Sequence, residues 1–167
     1  SIETFDGEWQ FRSCHNLTDI GELPRLAALP GHSFYDCTSL ALTSLPDGVT
    51  TIGSEAFRNC TSLALTSLPD GVTTIEHWAF RNCYNFIIKE IPDGVTRIGS
   101  EAFRSCTGIG NVKVLPTTPP TASSSIFLGC NVKLYVPDES VEAYKAADGW
   151  RSYADVIRPL SEWEEAE

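Results

Sequence analysis

A repeat solenoid is the fold this sequence predicts, and three regularities predict it. All six cysteines keep one register: Cys14, Cys37, Cys60, Cys83, Cys106 and Cys130 stand 23, 23, 23, 23 and 24 residues apart. Three residues before each stands a phenylalanine, in turn Phe11, Phe34, Phe57, Phe80, Phe103 and Phe127. Between these markers Leu45-Pro46-Asp47-Gly48-Val49 returns at 68–72 and, with Ile91 for leucine, at 91–95, while Ile52, Ile75 and Ile98 keep the same step. A unit of this size cannot bury its own apolar side chains. Stacked, such units share one continuous core.

Each part of the unit has a local reason. The segment C-x-x-L-x-L-x-x-L reads as a leucine-rich-repeat strand: Leu63 and Leu65, then Leu68, carry the period-two signal of a strand with one buried face, with cysteine at the first apolar position. Pro69-Asp70-Gly71 is a turn, because proline presets φ and glycine permits positive φ. Val72 to Ile75 is β-branched and short, which suits a second strand on the opposite wall. The stretch from Ser54 to Asn59 lacks β-branched residues and is expected to form a single helical or 3₁₀ turn. Leu23-Pro24-Arg25-Leu26 departs from the pattern by one residue, so the first coil is expected to be irregular. At the other end Asp138 to Ala147 reads as an amphipathic helix with Asp138 as its N-cap; Val141, Tyr144 and Ala147 share a face that Trp150, Tyr153 and Ile157 continue. This segment is expected to close the last coil.

The whole is therefore a right-handed leucine-rich-repeat superhelix with a parallel β-sheet on the concave side, short convex strands and helical turns, and a helical C-terminal cap. Residues 1–136 form the solenoid of about six coils, 137–160 the capping segment and 161–167 an acidic tail. The opening residues lack an apolar stretch of the signal-peptide kind, methionine is absent, and the chain starts inside a repeat. An N-terminally incomplete piece of a longer chain is expected.

The repeated residues resemble the BspA-like leucine-rich-repeat family, whose units carry I-P-x-x-V-x-x-I-G-x-x-A-F-x-x-C. The resemblance runs from about Phe5 onward and is tightest from Leu40 to Cys106. It extends to Thr118-Pro119-Pro120-Thr121, to Leu134-Tyr135-Val136-Pro137 and to the stretch from Val141 to Trp150. The resemblance implies a bacterial protein that is secreted or held at the cell surface, of a kind often proposed to mediate adhesion.

Composition narrows the partners. The net charge of −10 repels nucleic acid and anionic membrane, and no run approaches the ~18 apolar residues of a membrane span. No Ser-His-Asp or Cys-His constellation has repeat geometry behind it, and phosphate-binding glycine loops are missing, so no enzyme and no cofactor are expected. Six cysteines could suggest disulfides or zinc. Equivalent residues of adjacent coils stand ~4.8 Å apart with parallel side chains, whereas a disulfide needs converging ones, and paired ligand motifs are absent. The cysteines are expected to be reduced and to fill the core as small hydrophobes. The column of Asp47, Asp70 and Asp93 is read as turn residues rather than a calcium site. Glu55 with Arg58, and Glu101 with Arg104, are i, i+3 pairs on a solvated face.

Departures from the repeat supply the binding candidates. Two residues before the phenylalanine stand Trp9, His32, Glu55, Trp78 and Glu101. Trp9 and Trp78 either offer exposed aromatic contacts or cover grooves between coils. On the expected concave strands Ala41, Thr43, Ser44, Ala64, Thr66 and Ser67 are small, whereas the fourth coil carries Tyr84, Asn85, Ile87, Lys89 and Glu90. The candidate ligand-binding residues are thus Trp9, Trp78, Tyr84, Ile87, Lys89 and Glu90. A protein or glycan on a host or neighbouring cell is the expected partner of a monomeric chain. The rival expectation is a spacer or display arm of a longer surface or phage-tail protein, without a ligand of its own, as the near-identical middle repeats suggest.

Overall fold

The computed structural model describes residues 10–164 apart from Glu22, Pro24 and Arg25. Trp9, the Pro24–Arg25 step of the first coil and the last three residues of the acidic tail lie outside the described residues. The coils stack in parallel and form two sheets. Strands β1 (Ala28–Leu29), β2 (Thr51–Ile52), β3 (Thr74–Ile75) and β5 (Arg97–Ile98) pair in that order, each residue with its equivalent in the next coil. The second sheet has the order β4 (Glu90–Ile91), β6 (Asn111–Val114), β7 (Lys133–Val136) and β8 (Ile157–Pro159), again parallel throughout.

The V-x-x-I part of the repeat thus forms the strand expected of it, cut to its last two residues. Its outward threonines add a side-chain ladder along the solenoid, since Thr73 and Thr96 donate Oγ1–H to the carbonyls of Thr50 and Thr73, both at 3.2 Å. The L-x-L part behaves differently. In the coils of Leu40–Leu45 and Leu63–Leu68 single cross-coil bonds occur, such as Ala64 N–H to Leu42 O at 3.1 Å, but no strand is formed. Two consecutive exposed residues, Thr66 and Ser67, separate buried Leu65 from buried Leu68 and break the alternation a pleat requires. Alternation carried through a four-residue strand appears in β6, at Val112 and Val114.

The stretch from Ser54 to Asn59 is not the single helical turn expected. Glu55 and Asn59 have φ of 56° and 63°, and the same left-handed positions recur at His32 and Asp36, Trp78 and Asn82, and Glu101 and Ser105. A helix uses its N–H groups internally. Here alternate ones point along the solenoid: those of Glu55, Phe57 and Asn59 donate to the carbonyls of His77, Ala79 and Arg81 at 2.8–2.9 Å. The tight turns therefore make a third hydrogen-bonded wall.

Inside, the phenylalanines from Phe11 to Phe127 stack nearly parallel with ring centroids 5.2–5.6 Å apart. Beside them run the thiols. Those of Cys60, Cys83 and Cys106 each donate S–H to the carbonyl of the phenylalanine in the preceding coil, Phe34, Phe57 and Phe80, at 2.9 Å. The core cysteines are thus hydrogen-bonded donors as well as hydrophobes. All six are free thiols; Cys37, Cys60, Cys83 and Cys106 are buried, but Cys14 is exposed and Cys130 half-buried, because these two terminate the column.

The closing segment corrects the expected N-cap. A 3₁₀ turn at Asp138–Ser140 leads into α1 (Val141–Ala146), and neither has a side-chain cap. Asp138 instead accepts the Ser161 N–H at 3.0 Å, and that bond holds its carboxyl below the usual range. Tyr144 and Trp150 are buried edge-to-face, 4.9 Å apart. They donate O–H and Nε1–H to the carbonyls of Pro116 and Pro120, both at 2.7 Å. The chain then returns as β8, a strand the helical pattern of this segment does not announce.

Candidate binding surface

The second sheet carries one row of outward side chains in cross-coil register: Glu90, Lys113, Tyr135 and Arg158. Strand periodicity puts them on the face opposite Val112, Val114, Leu134 and Val136, which fill the core, although Tyr135 is itself only 8% exposed. After β8 the chain turns through Leu160–Glu162, tied by the Ser161–Asp138 bond, and lays Trp163 on this row. The indole meets the Tyr135 ring edge-to-face at 5.0 Å, and the Lys113 ammonium sits 4.8 Å from its centroid. Its Nε1–H is buried without a hydrogen-bond partner.

A groove of about 400 Å³ opens beside it, lined among others by Ile87, Lys89, Glu90, Lys113, Trp163 and Glu164. Three of the candidates, Ile87, Lys89 and Glu90, are therefore brought together. Ile87 is 48% exposed, which is unusual for isoleucine on a formed wall. Tyr84, 45% exposed, borders the groove through Gly108, whose backbone passes so close that a Cβ there would lie 2.8 Å from the Tyr84 carbonyl oxygen.

Trp78 stands elsewhere, on the wall of tight turns. Two guanidinium groups approach its ring, Arg58 at 4.8 Å and Arg81 at 5.3 Å, and Arg58 also lies 5.5 Å from the Tyr35 ring. The expected i, i+3 pairs are formed, Arg58 with Glu55 at 2.7 Å and Arg104 with Glu101 at 3.0 Å, and Glu101 also reaches Arg81 in the preceding coil at 3.0 Å. Trp9 lies outside the described residues. Asp47, Asp70 and Asp93 stand exposed, and among the described residues no three His, Cys, Asp or Glu side chains gather as metal ligands.

Sequence reasoning did not single out Lys113 or Trp163. The alternation in Asn111-Val112-Lys113-Val114 carries a signal for Lys113. No periodicity points to Trp163, which follows the last repeat and meets the wall only through the fold.

Comparison with known proteins agrees with this architecture. A family model described as BspA type leucine rich repeat region matches residues 27–146 in six copies. Among solved structures, a leucine rich repeat protein of T. pallidum is 31% identical with a TM-score of 0.60, over 81% of this chain and 64% of that one. A leucine rich cell surface protein of Faecalibacterium prausnitzii is 24% identical with a TM-score of 0.59, over 81% of this chain and 45% of that one, a likeness of fold. The chain thus spans less than two thirds of either. No curated protein matches it.

Proposed function

Because the chain belongs to the BspA-type leucine-rich-repeat family, we propose that it is a non-catalytic binding module of a secreted or cell-surface bacterial protein. Its recognition surface is the wall of Ile87, Lys89 and Glu90. Adhesion to a protein or glycan on a host or neighbouring cell is the role this reading gives it. The observation that carries it is local. Where the neighbouring coils present Ala41, Thr43 and Ser44 or Ala64, Thr66 and Ser67, this one presents an exposed isoleucine and lysine beside a groove with an aromatic wall. Large apolar side chains kept in water next to a concavity are what a partner covers.

The spacer reading keeps one observation in its favour: residues 37–52 and 60–75 differ at no position. A wall that recognises one ligand usually varies its contact positions along the coils. An array of extracellular-matrix proteins and glycans, probed with the chain and with Ile87→Ala/Lys89→Ala, separates the two. A binding module gives signals that the double variant loses at unchanged thermal stability. A spacer gives none, or signals indifferent to the variant.

A further inference from the structure

The chain is strongly acidic, yet among the described residues the cations without a carboxylate partner collect on one wall. Among the described residues Arg58, Arg81, Arg97, Arg104, Lys145 and Arg151 each have a carboxylate partner within 2.7–3.4 Å. Arg12 lies over the Tyr35 ring. Lys89, Lys113, Lys133 and Arg158 have no carboxylate partner among the described residues, and all four lie on or beside the second sheet: Lys89 just before β4, then one each on β6, β7 and β8. Three strand steps carry them across roughly 14 Å. Into this field the chain feeds its own Glu162-Trp163-Glu164, both glutamates exposed and the indole seated against Lys113 and Tyr135. Cations without a paired carboxylate, even with Glu90 in their row, attract acids locally on a chain whose net charge of −10 repels them elsewhere.

We propose that this wall binds an acidic peptide segment bearing an aromatic side chain, and that Glu162-Trp163-Glu164 occupies the same site in cis, competing with the partner. The proposal rests on reading the wall as the recognition surface and adds the partner's chemistry to it. A peptide is favoured over an acidic glycan because the segment already seated there is one, and because its aromatic ring meets both a cation and a ring edge, contacts a sugar ring lacks.

The test uses the full chain and a fluorescein-labelled peptide copying residues 161–167, followed by anisotropy at about 50 mM salt, where the Debye length is long. Glu162→Gln/Glu164→Gln removes the competing charge at exposed positions without touching packing, and should bind the peptide about fivefold more tightly than the unaltered chain. In that background Lys133→Glu, at an exposed position, and Lys113→Glu should each weaken binding, about tenfold when combined, as should raising salt to about 500 mM. A control peptide with glutamine for every glutamate should bind far more weakly. The proposal is overturned if the glutamine variant of the chain binds no tighter, if the control peptide binds as well, or if a sulfated oligosaccharide binds more tightly than the peptide. Array signals lost with Ile87→Ala/Lys89→Ala but indifferent to Lys133→Glu would leave the binding reading standing and remove this one.

Discussion

Trp78 combines a left-handed φ of 56° with a bulky side chain, a pairing that L-residues avoid at a cost of roughly 1 kcal/mol. The backbone there is held, as at the equivalent positions of the two preceding coils, by a bond to the next coil, Trp78 N–H to Ser100 O at 3.1 Å. Arg58 and Arg81 pack on the ring, each guanidinium fixed in turn by Glu55 or Glu101. Burial would raise the Glu101 carboxyl's pKa, but Arg104, Arg81 and the Trp78 indole outweigh it and leave it below the usual range. The ring is therefore committed to the protein's own side chains. Trp78→Ala is expected to lower unfolding free energy by about 2 kcal/mol, measured by urea titration, through lost cation–π contacts and packing. It should leave any array signal of the groove wall intact. Full stability with lost binding would instead make Trp78 a contact residue. The sequence marked Trp78 as an exception to its column but could not say what faced it, because the two arginines belong to different coils.

Stacked elements are held by backbone approach as much as by side chains. Gly99 follows β5 where the preceding coil passes so closely that a Cβ would collide with the backbone of Glu76 and His77. Gly53 meets the same wall, with a Cβ 2.6 Å from the Leu29 carbonyl oxygen. Gly110 has nothing within 4 Å. Gly99→Ala should then cost on the order of 3 kcal/mol and Gly110→Ala within about 0.5 kcal/mol, compared by thermal or urea unfolding. Equal effects would mean that the coils can separate locally at no cost. The V-x-x-I strands were legible because β-branching and period agree there. The tight turns were not, because left-handed residues four apart leave no hydrophobic period, and the glutamates, tryptophan and serines that adopt them carry no positive-φ preference, unlike His32, Asp36, Asn59 and Asn82.

Along the whole molecule the thiol column couples stability to pH. Burial raises the Cys37 and Cys130 thiols from 9.0 to about 11, and the fully enclosed Cys60, Cys83 and Cys106 stand well above 9.0 for the same cause. The unfolded chain loses these protons first, so the contribution is complete below pH 9 and declines as pH rises through about 11. Urea midpoints followed by circular dichroism should fall steadily from pH 8 to pH 11 by more than tyrosine ionisation alone produces in a Cys60→Ala/Cys83→Ala/Cys106→Ala variant. A flat profile would show that the column is not made of protonated donors. In the same frame a thiol reagent at neutral pH should modify Cys14 rapidly in the folded chain and all six cysteines only after unfolding.

The sequence by itself determined the solenoid, its 23-residue step, the inward phenylalanines and cysteines, and the patch of Tyr84 to Glu90 as a break in pattern. A repeat makes this possible: residues one period apart become neighbours by translation, so a single dimension of text specifies the contacts between coils. Only the tertiary structure decided which walls carry hydrogen-bonded strands, that the thiols bond to carbonyls, and that Trp78 and the groove lie on different walls. It alone brought Trp163 onto Lys113 and Glu164 to the same groove. Those residues share no period with the repeat, and their meeting depends on the closing segment turning back as β8, a consequence of buried Tyr144, Trp150 and Ile157 packing on the last coils.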